Sequence, residues 1–359
     1  MPEVLPAAGG RETNGQGPNL LEVRNLTQTF TVRGRGGVKG GEVQAVTDVS
    51  FEVRKGETLG VVGETGSGKS TLVQSVLQAP PPRSGSVVFQ GVELVGTPRR
   101  ELLPLRRHLQ MIFQDPYNSV DPKWRVSQIV EEPLLAAKAG GRAERRARVD
   151  ELLDLVGLDP RQHGPRRARE LSGGQCQRVA IARALALNPA MIIADEAVSS
   201  LDVLVQAQVL NLFEHLRREF GLSYLFVAHD LALVKQVSDR VAVMYLGRFC
   251  EVGPAESIYR EPMHHYTRAL LDAIPRPDPE GDGPQTGETI SGEPPSPIDP
   301  PSGCRFRTRC PRAEERCATE TPELRAAGPD GAHLVACHFP VLGAAGEPGA
   351  GEQDGSGGV

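Results

Sequence analysis

Gly63-Glu64-Thr65-Gly66-Ser67-Gly68-Lys69-Ser70 constrains this chain more than any other run of residues. The apolar stretch Thr58–Val62 before it suits a buried strand, and Thr71–Leu77 after it can form a helix. A strand that feeds a glycine-rich loop and then a helix is a phosphate-binding arrangement. The glycines let backbone N–H groups turn inward around phosphate oxygens, and the helix N-terminus adds partial positive charge. Lys69 can reach the β- and γ-phosphates, and the Ser70 hydroxyl can ligate Mg²⁺. The competing reading is a glycine-rich turn that happens to hold a lysine; the flanking strand and helix argue against it.

Met191-Ile192-Ile193-Ala194-Asp195-Glu196 supplies a matching half. An apolar strand that ends in Asp places a carboxylate at the C-terminal edge of a sheet, where ligands of α/β folds sit. Asp195 is then a Mg²⁺ ligand, directly or through water, and Glu196 a general base for an attacking water. Alone, such a carboxylate pair is more often solvated surface. With the loop at Gly63 it indicates a nucleoside triphosphatase. In 143–156, Val149, Leu152, Leu153 and Val156 recur at helical spacing, as do Val209, Leu212, Phe213, Leu216 and Phe220 in 203–220. Strand-like runs at 191–194 and 224–228 alternate with these helices, which predicts an α/β domain with a largely parallel sheet.

The chain has 359 residues and a formal net charge of −5. That length suits one large domain with an appendage. The mild acidity argues against a nucleic-acid coat, so no nucleic-acid partner is expected. No apolar run approaches the roughly 18 residues of a membrane span, and the first 20 residues lack an apolar signal-peptide centre. The expectation is a soluble protein. Its parts read as a flexible tail (1–19), a nucleotide-binding domain (20–255), an extension (256–340) and a disordered tail (341–359). Within the domain, the glycine-rich stretch 33–41 reads as a loop. Within the extension, 275–302 reads as a Pro-, Gly- and acid-rich linker.

A second anion-binding device narrows the class. Leu171-Ser172-Gly173-Gly174-Gln175 stands just before a helical stripe of Val179, Ala182, Leu185 and Ala186. One phosphate loop does not need two such devices, so this one is expected to serve a nucleotide held by another subunit. At this point residues 20–255 resemble the ATP-binding-cassette (ABC) ATPases, whose signature Leu171–Gln175 matches. The resemblance implies a P-loop core with an antiparallel β subdomain and a helical subdomain at about 115–170. It also implies ATP with Mg²⁺, bound by Gly63 through Ser70, with Thr71, and by Asp195. Gln114 matches the glutamine that senses Mg²⁺ and contacts the membrane partner, Asp202 the loop that crosses the dimer interface, and His229 the switch histidine at the γ-phosphate. Phe30 is the candidate for stacking on adenine. Cys176 follows the signature where a long polar residue is common, and Ala197-Val198 replace a common Pro-Thr; neither removes a charge or a donor from the catalytic set.

Phe113–Ser119, Gln206-Ala207-Gln208, Glu251-Val252-Gly253 and His264-His265-Tyr266-Thr267 resemble the ATPase subunits of oligopeptide, dipeptide and nickel importers. His265 stands where that group usually has Pro. The likeness implies a second ATPase subunit, either an identical copy or, as is frequent in that group, a related but different chain, together with two transmembrane permease subunits and, indirectly, an extracellular solute-binding protein. It places the chain at the cytoplasmic face of the membrane. Two other readings are a non-transport ABC ATPase of DNA repair or translation with a zinc module, and a scaffold with a dead site.

Four cysteines crowd the end of the chain as Cys304-x5-Cys310-x6-Cys317-x19-Cys337. This is neither a ferredoxin spacing nor a zinc-ribbon spacing. On spacing alone it is a four-thiolate site of unspecified metal. The importer resemblance implies a [4Fe–4S] cluster on Cys304, Cys310, Cys317 and Cys337, with Zn²⁺ as the alternative and metal-free thiols as a third. Cys176 and Cys250 are expected to be ordinary thiols.

Overall fold

The computed structural model describes residues 19–32, 40–117, 119–274, 292–327 and 331–341. Apolar residues alternate along β1 (Asn19–Val32) and β2 (Gly41–Arg54), which pair antiparallel so that Phe30 stands opposite Val43. Leu21, Val23, Val49, Phe51 and Val53 form the buried face of this pair. Then follow β3 (Thr58–Val62), α1 (Lys69–Val76), β4 (Ser84–Phe89), β5 (Val92–Glu93), α2 (Arg99–Arg106) and β6 (Leu109–Ile112). Strands β4 and β5 extend the first sheet in the order β2-β1-β4-β5, the antiparallel subdomain expected from the sequence.

Helices α3 (Val126–Ala136), α4 (Arg142–Leu155), α5 (Pro160–His163) and α6 (Gly173–Leu185) come next. Ile129, Val130 and Leu134 share a buried cluster with Val149, Leu152 and Leu153 and with Val179 and Ile181 of α6. Val149, Leu152, Leu153 and Val179 are residues at the helical spacing read from the sequence, so those stripes are faces that pack; Ile129, Val130 and Leu134 of α3 and Ile181 are not among them.

Strand β7 (Met191–Asp195), α7 (Val203–Phe220), β8 (Ser223–Ala228), α8 (Leu231–Val237), β9 (Arg240–Tyr245) and β10 (Arg248–Pro254) complete the core. The extension adds α9 (Ala255–Arg260), α10 (His265–Asp272), α11 (Glu315–Thr319), β11 (Arg325–Ala326) and β12 (Leu334–Val335). The second sheet runs β11-β12-β10-β9-β3-β8-β7-β6. From β9 to β6 each strand is parallel to its neighbour, whereas β10, β12 and β11 join antiparallel at one edge. The parallel centre is buried on both faces, which is why β3, β7 and β8 read as continuous apolar runs.

The extension is not the loose appendage that its composition suggests. Glu251 of β10 pairs with Val335 of β12, and Cys304, Phe306 and Cys317 belong to the main hydrophobic cluster. Arg305 donates to the Leu246 carbonyl, to Gln44 Oε1 (2.7 Å) and to Thr47 Oγ1 (3.0 Å). The end of the expected linker also rests on β2: Gln44 N donates to Pro297 O at 3.0 Å, and Ile298 packs over Gly41. The rest of that linker (275–291), the glycine-rich insert (33–39) and the tails (1–18 and 342–359) lie outside the described residues. Among the described residues no helix is long and apolar enough to cross a membrane.

A buried polar seam joins extension and core. The fully buried Glu251 carboxylate accepts from Met263 N (2.7 Å) and His264 N (2.9 Å) and meets His333 Nε2 at 2.6 Å. His264 Nδ1 in turn accepts from Tyr266 N at 3.0 Å and caps α10. Burial pushes the His264 imidazole down to about 4, with Glu251 opposing and His265 assisting. The unfolded chain therefore takes up a proton near pH 6.5 that the folded chain refuses until about pH 4. Stability should fall across that window by about 3 kcal/mol from this one group. Chemical denaturation of wild type and His264→Asn, which keeps a capping acceptor, checks this. The decline should be shallower in the variant, and parallel pH profiles would contradict it.

Candidate functional site

Strand β3 delivers the chain into the loop Gly63–Gly68 at the C-terminal edge of the parallel strands, and α1 begins at Lys69. Two glycines are sterically required. A Cβ on Gly63 would lie 2.1 Å from the Met244 carbonyl oxygen. One on Gly68, at φ +105°, would lie 2.1 Å from the Ala45 carbonyl oxygen. The loop is thus seated between β9 and β2. Its lysine is nearly buried, and Nζ donates to Gly63 O (2.7 Å) and Glu64 O (3.0 Å), with Ser67 Oγ at 3.5 Å. Burial lowers the Lys69 pKa, while Glu196, Asp195 and Glu64 pull the other way.

Strand β7 runs parallel to β8 and ends in Asp195, only 6% exposed. Ser70 Oγ donates to Asp195 Oδ1 at 3.2 Å. Burial raises the Asp195 pKa; the Ser70 hydrogen bond opposes this, Glu196 adds to it, and Lys69 opposes it. A hydroxyl beside a buried, incompletely compensated carboxylate is a hard oxygen donor set, which fits Mg²⁺.

Glu196 follows in the left-handed region at φ +48°, an uncommon conformation for a residue with a side chain. Its N–H donates to Val227 O at 2.9 Å, which fixes the turn against β8. The turn aims the carboxylate where Gln114 Nε2 donates to Oε2 at 2.8 Å and His229 Nδ1 lies 3.5 Å from the same oxygen. Lys69, Ser70, Asp195, Glu196, Gln114 and His229 therefore converge from four separate stretches of sequence. Gln114 contacts Glu196 here, not the Ser70–Asp195 pair to which the metal-sensing role would assign it. Phe30 is half-exposed in the β1–β2 pair, opposite Val43 and so near Ala45, whose carbonyl abuts Gly68.

Ser172 caps α6. Its Oγ accepts from Gln175 N at 3.4 Å, and its own N–H donates to Gln175 Oε1 at 3.1 Å. Gly174 packs so tightly on Val205 that a Cβ would sit 2.5 Å from Cγ1, which ties Leu171–Gln175 to the start of α7. Asp202 caps that helix through Val205 N at 3.0 Å. Tyr117 donates to Leu171 O at 3.0 Å, and the buried Cys176 thiol to Pro116 O at 3.5 Å. Both join the stretch after Gln114 to the signature. Among the described residues no hydrogen bond joins Leu171–Gln175 to the Gly63–Ser70 loop.

The four late cysteines differ from expectation. Among the described residues no group of three or more His, Cys, Asp or Glu is placed to hold a metal ion. Cys304, Cys310, Cys317 and Cys337 therefore do not form a ligand set as they stand. Cys304 and Cys317 are buried within the main hydrophobic cluster, to which Phe306 also belongs. Burial raises Cys304 to about 11 and Cys337 to about 12, and the neighbouring thiols push the same way. Cys250, expected to be isolated, is buried in the same neighbourhood: burial raises its pKa, with Cys304, Glu251 and Cys337 adding to the rise. Tyr266 and Arg309 also reach the phosphate loop, at Glu64. Tyr266 stood out in the sequence only as part of a subfamily motif, and Arg309 had no local signal, being 245 residues from its partner.

Comparison with known proteins agrees with this geometry. Residues 46–199 match the ABC transporter family, and residues 250–317 match the oligopeptide/dipeptide transporter C-terminal region. The oligopeptide transport ATP-binding protein AppF of Bacillus subtilis is 45% identical over 322 residues, covering 89% of this chain and 97% of that protein. The di/tripeptide transport ATP-binding protein DppF of Pseudomonas aeruginosa is 47% identical over 320 residues, again with 89% and 97% covered. Among solved structures, the dimeric ATP-binding cassette MJ0796 in a post-hydrolysis state bound to ADP and Pi superposes with a TM-score of 0.58. It is 29% identical and covers 66% of this chain and 98% of its own. The chain belongs to the ABC transporter ATPases, and within them to the ATP-binding proteins that carry the oligopeptide/dipeptide transporter C-terminal region.

Proposed function

We propose that this chain is the ATP-hydrolysing subunit of a membrane importer for oligopeptides or dipeptides. The observation that carries this reading is the joint presence, in one chain, of the converged site around Lys69 and Glu196 and of the oligopeptide/dipeptide C-terminal region. The DNA-repair or translation alternative finds no support in the relatives, which are transport ATP-binding proteins.

In this reading Gly63 through Thr71 cradle the ATP phosphates, and Lys69 neutralises the β- and γ-phosphates. Phe30 stacks on adenine. Mg²⁺ would be held at Ser70 and Asp195, where it would neutralise charge on the phosphate oxygens, and the metal-sensing role of Gln114 would require that side chain to turn from Glu196 toward this pair. Glu196 accepts the proton of the attacking water. Gln114 and His229 both approach Oε2 of that carboxylate, so their loops report whether the γ-phosphate is present. Leu171–Gln175 and Asp202 face the nucleotide of a second, related ATPase subunit. Val203 and Leu204, apolar and 79% and 78% exposed beside Asp202, support that. Two permease subunits carry the membrane path, served from outside by a solute-binding protein, and the ATPase lies at the cytoplasmic face. A [4Fe–4S] cluster on Cys304, Cys310, Cys317 and Cys337, or Zn²⁺ in its place, belongs to the same reading. It requires the four thiols to draw together, and Cys304 and Cys337 to give up the protons that burial favours on them.

Two experiments test these assignments. Glu196→Gln should bind ATP yet lose about 10²–10⁴-fold in turnover, read as phosphate release and as ATP retained on the protein. Undiminished hydrolysis would remove Glu196 as the base. For the extension, protein purified without oxygen is assayed for iron, sulfide and zinc. About four irons with matching sulfide per chain is the expected result, and metal-free protein would overturn the cluster.

A further inference from the structure

Glu64, the second residue of the phosphate loop, is gripped on three sides. Its carbonyl accepts from Lys69 Nζ at 3.0 Å, and its N–H donates to the Tyr266 hydroxyl at 2.9 Å. Its carboxylate Oε2 accepts from Arg309 Nη1 at 2.8 Å. The Arg309 side chain is only 7% exposed and Glu64's 25%, so this is not an ordinary solvated pair. Arg309 Nη1 also lies 3.4 Å from the Tyr245 hydroxyl, and its guanidinium sits 5.8 Å from that ring's centroid. Burial disfavours the Arg309 charge, but its hydrogen bonds to Glu64 and Tyr245 raise its pKa on balance.

The grip comes from the extension. Arg309 N donates to Phe306 O at 2.9 Å, and the Phe306 ring packs against Tyr245 and Tyr266, both at 5.3 Å between centroids. A carboxylate within a loop built to receive a polyphosphate is a like charge in the wrong place. Unless it is neutralised and turned aside, it repels the incoming nucleotide.

We infer that Arg309 is a positioning residue for the phosphate loop, lent by the cysteine-bearing extension to neutralise Glu64 and hold it clear of the nucleotide. The inference rests on reading Gly63–Thr71 as the phosphate cradle. Its effect passes through one charge, so it has a signature that general loss of structure does not share.

The test is equilibrium binding of MgATP to the full chain, with steady-state hydrolysis alongside. Arg309→Gln should weaken ATP binding about tenfold and raise KM in proportion, with kcat within about twofold. Arg309→Lys, which restores the charge, should recover most of the affinity. In the Glu64→Gln background the change at Arg309 should alter affinity by less than about twofold, because the charge it opposes has gone. Equal affinity of the Gln and Lys variants, or a full tenfold loss that persists in the Glu64→Gln background, would overturn the inference. If the unaltered chain binds no MgATP, the cradle assignment itself fails, which is a different result. Should Arg309→Gln not fold, Arg309→Met, which also removes the charge, decides: it should cost about tenfold in affinity in the otherwise unaltered chain and less than about twofold in the Glu64→Gln background, and equal losses in the two would contradict the coupling.

Discussion

The ammonium of Lys69 is nearly buried, held on two backbone carbonyls and facing the carboxylates of Glu64, Asp195 and Glu196. A charge so withdrawn from water is stable only while those partners keep their places. Three strands of one parallel sheet set them: β3 carries the loop, β7 ends in Asp195, and β8 supplies the carbonyl that fixes Glu196. The sheet's register is therefore the condition for the site. The steric demands at Gly63 and Gly68 follow, since the loop must turn tightly between β9 and β2 to present Lys69 at that point.

Two side chains meet the same oxygen of the Glu196 carboxylate. Gln114 follows β6, where the chain leaves for the helical subdomain, and His229 directly follows β8. The helical subdomain is in turn coupled to the signature through Tyr117 and Cys176. A change at the phosphate site can thus pass through Gln114 to the helices and on to the capped start of α6 by a continuous set of contacts. The extension joins from the other side. It is bound to the core by β-pairing, by Arg305 and by the Glu251 seam, so that it buttresses the phosphate loop from behind.

Much of this was legible in the sequence because it is local. The strand Thr58–Val62 and the helix Val203–Phe220 match expectation to the residue, since burial on two faces and an apolar stripe at helical spacing leave an unambiguous pattern. Lys69, Ser70, Asp195 and Glu196 were legible because phosphate chemistry demands those types at the start of the helix after a glycine-rich loop and at the end of an apolar strand. The fusion of the extension was not legible. Its Pro- and Gly-rich composition signals a linker, whereas its attachment depends on two-residue strands and on single side chains such as Arg305, too short to leave a period. The link from Arg309 to Glu64 and the approach of Cys250 to Cys304 are likewise products of folding between distant segments. The cysteine spacing pointed to a shared metal, whereas among the described residues no three of these side chains are placed to hold one.

The most direct measurement is ATP hydrolysis by this chain assembled with its second ATPase subunit and the two permease subunits in lipid vesicles, with and without peptide-loaded solute-binding protein. An importer ATPase predicts hydrolysis that rises several-fold when the peptide-loaded binding protein is added and that is lost in Glu196→Gln. Hydrolysis indifferent to peptide and binding protein, or a chain that fails to assemble with any permease, would contradict it.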